Sequence, residues 1–166
     1  MKNVMFAAAT LLAVTSPAIA QDDEGLVEFN VLKPEVALQM AVAAMEYCRD
    51  GGYQVGVSVV DRFGVEQVFL RDRFAGVHVG ETAYRKAWTS VAFKTDTIAL
   101  DEITQAGSLS YGIRSISTAL PLGGGVPVEA AGSIVAGIGV SGAPGPDIDD
   151  ECAREGIEAI IDIIGF

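Results

Sequence analysis

Residues 55–70 constrain the fold more than any other stretch of the chain. Val55, Val57 and Val59 alternate with small or polar neighbours, Asp61-Arg62-Phe63-Gly64 has the composition of a tight turn, and a second alternation follows. In that second run Val65, Gln67 and Phe69 share one face, and Val68 and Leu70 the other. Side chains along a strand point to opposite faces with a period of two, so the segment predicts a hairpin with one face to be covered. The flanking sequence supplies covers. Upstream, Pro34 suits the first position of a helix, and Ala37, Met40, Ala41, Ala44 and Cys48 recur at three- and four-residue steps until Gly51-Gly52. Downstream, 71–80 reads as a loop that leads into a helix from Glu81 to Phe93. A short helix follows, with Thr97 as its cap and Ile98, Leu100 and Ile103 as its apolar positions.

The remainder is rich in strand patterns. Ile113 to Leu120, Val126 to Val128 and Ile134 to Val140 are expected strands, separated by turns at Gly123-Gly124-Gly125 and Gly132. A last helix is expected from Asp147 to Ile163, with Asp147 and Asp150 at the cap and third positions. Helices and strands do not alternate regularly, which predicts an α+β fold: an antiparallel sheet of about five strands flanked by helices.

Residues 1–20 are expected to be an export signal. Lys2 gives a positive start, Val4 to Val14 is an apolar run broken only by Thr10, and Ala18-Ile19-Ala20 places small residues where a signal peptidase reads. The run is shorter than the ~20 apolar residues that span a bilayer, so cleavage is expected and no stable membrane anchor remains. Residues 21–30 read as a flexible leader and 31–166 as one domain. A periplasmic or secreted location follows. The chain carries 22 acidic against 11 basic residues, a net charge of −11. Binding a phosphate backbone relies on Lys and Arg displacing counterions, so nucleic acid is an unfavourable partner. Cys48 and Cys152 each fall in a predicted helix and read either as a disulfide or as two buried thiols.

Several groups of residues carry chemical potential. Gly137-Ile138-Gly139-Val140-Ser141-Gly142 has the GxGxxG spacing, but Pro144-Gly145-Pro146 delays the next helix and four carboxylates load its start. A dinucleotide needs the helix to open at once, so a tight strand with a glycine exit is the better reading. The carboxylates Asp147, Asp149, Asp150 and Glu151 read mainly as capping groups, with weak divalent-ion binding as the alternative. The helix from Glu81 to Phe93 presents Tyr84 and Trp88 on one face, with Arg85 and Lys86 as adjacent cations and Thr89 as a hydroxyl. An amphipathic disc bearing two carboxylates needs such a combination; an ordinary amphipathic helix with a solvated basic row is the alternative. His78, the single histidine, is the obvious iron ligand by chemistry. With no second histidine, a hydrolytic triad is hard to build.

The ordered set Val57-Ser58-Val59-Val60-Asp61-Arg62-Phe63-Gly64, Leu70-Arg71-Asp72, Arg85-Lys86-Ala87-Trp88-Thr89, Gly124-Gly125-Val126-Pro127-Val128, Gly137 to Gly142 and Asp150-Glu151-Cys152-Ala153 resembles the GlcG/HbpS-like family from residue 31 onward. The resemblance implies a profilin-like fold, homo-oligomers, and haem or a related tetrapyrrole as ligand. It implies Thr89 beside the iron and Arg85 and Lys86 at the propionates; His78, by its own chemistry, and Trp88, from the aromatic face of the helix, are the further candidate binding residues. Other members take histidine from the first helix, which here has none. Three functions are then expected to compete: a haem-binding sensor or carrier, an enzyme of haem degradation or hydroxy-acid metabolism, and an oligomeric accessory protein without ligand.

Overall fold

The computed structural model describes residues 25–165. The expected export signal and the first part of the leader lie outside the described residues. Residues 26–33 have no regular structure and lead into α1 (Pro34–Asp50), β1 (Gly56–Asp61), β2 (Glu66–Arg71), α2 (Val79–Phe93) and α3 (Thr97–Ile103). After a 3-10 turn at Tyr111–Ser115 come β3 (Gly125–Ala130), β4 (Ser133–Ser141), α4 (Pro146–Glu158) and the short α5 (Ile161–Ile164). The four strands form one antiparallel sheet in the order β2-β1-β4-β3.

The two faces of the sheet are built differently. On one, Val57 and Val59 of β1 join Val126, Val128, Ile138 and Val140 beneath α1 and α4, whose Ala37, Met40, Ala41, Ala44 and Ala153 complete the main core. Each fully buried valine in this layer contributes about 1.5–3 kcal/mol. Cys48 and Cys152 form a disulfide that ties α1 to α4, with a Cα separation of 5.6 Å. On the other face α2 lies directly on a floor of glycines. A Cβ on Gly139 would fall 2.0 Å from the Ala83 carbonyl oxygen, one on Gly125 2.3 Å from the Lys86 carbonyl oxygen, and one on Gly137 2.6 Å from Val91 Cγ1. The spacing of Gly137 and Gly139 by two places both on the α2 face. The glycine motif therefore serves contact between the helix and the sheet.

Three expectations need correction. The sheet has four strands, because 113–120 does not join it. The apolar residues there fall at Ile113, Ile116, Ala119 and Leu120, which is not a period of two, and side chains satisfy the backbone. Arg85 donates to the carbonyls of Thr118 (3.3 Å) and Ala119 (2.9 Å), and the Leu120 N–H donates to the Thr89 hydroxyl (2.8 Å). Buried backbone groups need partners, and here side chains take the place of a neighbouring strand. Thr97 is not a cap but the first residue of α3; its hydroxyl donates to the Leu122 carbonyl (2.7 Å) and accepts from the Gly125 N–H (2.8 Å). The closing helix stops at Glu158 and resumes as α5, and of the two residues between them Ile160 is fully buried.

Candidate functional site

The residues singled out on α2 are distributed among three places. His78 precedes the helix and is exposed, its ring against Gly76: a Cβ there would meet His78 Cε1 at 2.6 Å. The loop before it is held by Arg71, whose guanidinium donates to the Ala75 carbonyl. The same loop leaves large apolar groups in solvent, Phe74 at 81 % and Val77 at 95 % exposure. Arg73 belongs to the same loop and its side chain is 67 % exposed. His78 also borders a cavity of about 430 Å³, shared with Thr82, Lys86, Leu122, Ser141 and Asp149.

Lys86 is not a surface cation. It lies one turn beyond Thr82, at the inner wall of that cavity, where its ammonium donates to Asp149 Oδ2 (2.7 Å) and to the Val140 carbonyl (3.0 Å). The two side chains are 1 % and 6 % exposed. Burial pushes the Lys86 ammonium below the usual lysine range and the Asp149 carboxyl above the usual carboxylate range, while the partner's charge pulls each back. The expected role of Lys86 at a propionate fails because its charge is already neutralised inside the protein.

The second place is the strap 116–121. Thr89 is fully buried beneath it; its hydroxyl donates to the Arg85 carbonyl (2.6 Å) and accepts from Leu120. Arg85, half-buried, splits its guanidinium between the strap and Glu81 (3.3 Å). Eleven residues separate His78 from Thr89, about 16 Å along the helix at 1.5 Å per residue. The two are thus alternatives, not a pair, and Thr89 meets a ligand only if the strap lifts. The third place is the β1–β2 turn. A Cβ on Gly64 would fall 2.6 Å from Trp88 Cδ1, and the Tyr84 hydroxyl donates to the Gly64 carbonyl (3.4 Å). Trp88 therefore stabilises the hairpin and does not adjoin His78.

The acidic start of α4 is dispersed in the same way. Asp149 faces Lys86 and accepts from the Ala143 N–H (3.0 Å), Asp150 accepts from Arg154 (2.8 Å), and Glu151 from Tyr47 (2.5 Å). Among the described residues no group of three or more His, Cys, Asp or Glu side chains is arranged to hold a metal ion. Sequence reading missed Arg73, Phe74 and Val77, because 71–80 lacks periodicity. The available indication was composition: two arginines, a phenylalanine, a valine and a histidine within eight residues.

Known proteins share this architecture. The family model of haem degrading protein HbpS-like matches residues 32–158. The crystal structure of a double mutant of Streptomyces reticuli HbpS superposes with a TM-score of 0.76 at 37 % identity, covering 93 % of this chain and all of that one. The crystal structure of a PduOC:heme complex gives 0.74 at 34 % identity, over 78 % of this chain and 95 % of the other. Corrinoid adenosyltransferase PduO of Salmonella typhimurium is 36 % identical over 124 residues, which are 74 % of this chain and 37 % of that protein. The chain thus spans little more than a third of the curated relatives that it matches. With a family match across most of its length and a fold shared with HbpS itself, the chain belongs to the HbpS-like family.

Proposed function

We propose that this protein binds haem outside the cytoplasm, with His78 as the iron ligand. The observation that carries the reading is the exposed imidazole at the start of α2, preceded by a loop that carries the exposed Arg73, Phe74 and Val77. The donor set fits the group: a neutral imidazole is a good axial ligand, apolar side chains suit the macrocycle, and arginine pairs with carboxylates in a bidentate manner. His78 would hold the iron, Phe74 and Val77 would cover ring surface, and Arg73 would take a propionate, while Arg85 stays engaged with the strap and Glu81. Bound haem supplies a redox-active iron and an intense visible absorption. The HbpS-like family match and the likeness to a PduOC:heme complex support the same ligand. Export is supported by the pattern of residues 1–20 and by the Cys48–Cys152 disulfide, which persists in oxidising compartments. Self-association is supported by apolar side chains left in solvent on the 104–122 segment, Leu109, Tyr111 and Ile116.

Titration of the protein, lacking residues 1–20, with hemin tests the reading. A saturable Soret shift is expected, weakened at least about tenfold in His78→Ala and unchanged in Thr89→Val. A shift lost in Thr89→Val and kept in His78→Ala would move the iron beneath the strap. No shift with folded protein would overturn haem binding altogether.

A further inference from the structure

We propose that Lys86 is an amine nucleophile that condenses with a small uncharged aldehyde or ketone in the cavity at the start of α2, with Asp149 carrying the proton. This rests on a different group from the haem reading, but His78 borders the same cavity, so it is tested on haem-free protein, where it stands or falls separately. The cavity, about 430 Å³, is lined by Leu122, Pro144 and Pro146 on its apolar side and by Thr82, Ser141 and the Lys86–Asp149 pair on its polar side. The pair holds almost no exposure, yet it opens on that space. An ion pair so deeply buried contributes little net stability compared with apolar side chains of similar volume, so packing alone does not account for it. Burial also moves both groups toward their neutral forms, which is the state an amine needs to attack a carbonyl.

The geometry supplies each part of the step. Asp149 Oδ2, 2.7 Å from Lys86 Nζ, takes the ammonium proton and frees the lone pair. The amine forms a C–N bond to the carbonyl carbon as the C=O π bond breaks, and one of the two protons left on nitrogen passes through the Ser141 hydroxyl to the oxygen, giving a neutral carbinolamine with Ser141 unchanged. Loss of that hydroxyl as water, with the proton returned by Asp149, leaves an imine; no oxidant or reductant is consumed. The Ser141 hydroxyl lies 2.8 Å from that of Thr82, which donates to the His78 carbonyl (3.1 Å), and is the group placed to relay a proton to the carbonyl oxygen. The substrate is uncharged because Lys86 is already balanced by Asp149 and because the Asp147 carboxylate lies against Gly145 on the cavity wall, where a Cβ would fall 2.2 Å from Asp147 Oδ1.

The test is reductive trapping of the wild-type protein with butanal and cyanoborohydride at about pH 7, followed by peptide mapping. Lys33 and Lys94, both exposed, serve as internal controls. Lys86 is expected to be labelled at least about tenfold faster than either, because exposed amines are protonated at that pH. Asp149→Asn, verified as folded by circular dichroism, leaves the amine neutral but removes the acid that returns a proton to the departing hydroxyl, and is expected to slow the Lys86 label through that dehydration step. Labelling of Lys86 no faster than Lys33 and Lys94, or an undiminished rate in folded Asp149→Asn, would overturn the proposal.

Discussion

Replacing Asp149 alone by leucine is expected to destabilise the protein by at least about 3–5 kcal/mol, because it leaves the Lys86 ammonium buried without its partner. The substitution also removes the acceptor of the Ala143 N–H, and an orphaned buried donor costs about 1–3 kcal/mol, part of which overlaps with the first loss. The first figure needs no discounting for solvent, since the two side chains are only 1 % and 6 % exposed; the Ala143 hydrogen bond is part-buried, so its share lies at the low end. For a domain whose total stability is about 5–15 kcal/mol, this is about a fifth or more, and the melting temperature falls by roughly 10 °C. Lys86→Met combined with Asp149→Leu removes both charges and is expected to lie within about 2 kcal/mol of wild type. The signs of the pKa shifts agree. Asp149 is raised, so its contribution is lost as pH rises through its folded value; Lys86 is lowered, so its contribution is lost as pH falls through its own. Between those values the charged pair is a net cost, which the double variant abolishes. Urea unfolding of the four proteins measures the coupling. A single-variant cost below about 1 kcal/mol, or a double-variant cost equal to the sum of the singles, would refute the reasoning.

Further outcomes follow from the same structure. Cys48→Ala with Cys152→Ala opens a loop of sequence separation 104, and the chain-entropy treatment gives a loss of about 4–5 kcal/mol, read as a lower urea midpoint that dithiothreitol reproduces in the wild type. Gly139→Ala sets a methyl group 2.0 Å from the Ala83 carbonyl oxygen and is expected to cost about 3 kcal/mol or more, measurable by thermal melting, whereas Gly76→Ala displaces only the His78 ring. Asp72 accepts from Arg49 Nε at 2.9 Å, which holds its carboxyl below the usual range. Its contribution is therefore present above its unfolded value and fades as pH falls through the lower folded one, so Asp72→Asn is expected to flatten the acid limb of a stability–pH curve.

The alternation in β1 and the helical stripe of α1 were legible because burial imposes them: Val57, Val59, Ala37, Met40, Ala41 and Ala44 all reach the core. The limits of α1, β1 and β4 follow the pattern to within a residue or two. What sequence pattern did not carry is decided by contacts between distant segments. Nothing local at 113–120 announces that Arg85 and Thr89 satisfy its backbone. The charge of Lys86 looks solvated in a helical projection, and only the meeting of α2 with the start of α4 shows that Asp149 neutralises it. The Gly137–Gly139 pair is legible as a site of close approach, but not what approaches: a helix and a pyrophosphate ask the same small residue of a strand. His78 stands out in the sequence because imidazole chemistry is distinctive, while the exposed Phe74 and Val77 have no period to mark them.

The most direct test of the account is the Soret spectrum of ferric haem bound to His78→Ala, recorded before and after adding free imidazole. If the imidazole of His78 ligates the iron, the variant loses the low-energy shift of the wild type and added imidazole restores it. A variant spectrum identical to that of wild type, indifferent to imidazole, would contradict the assignment of the iron to the start of α2.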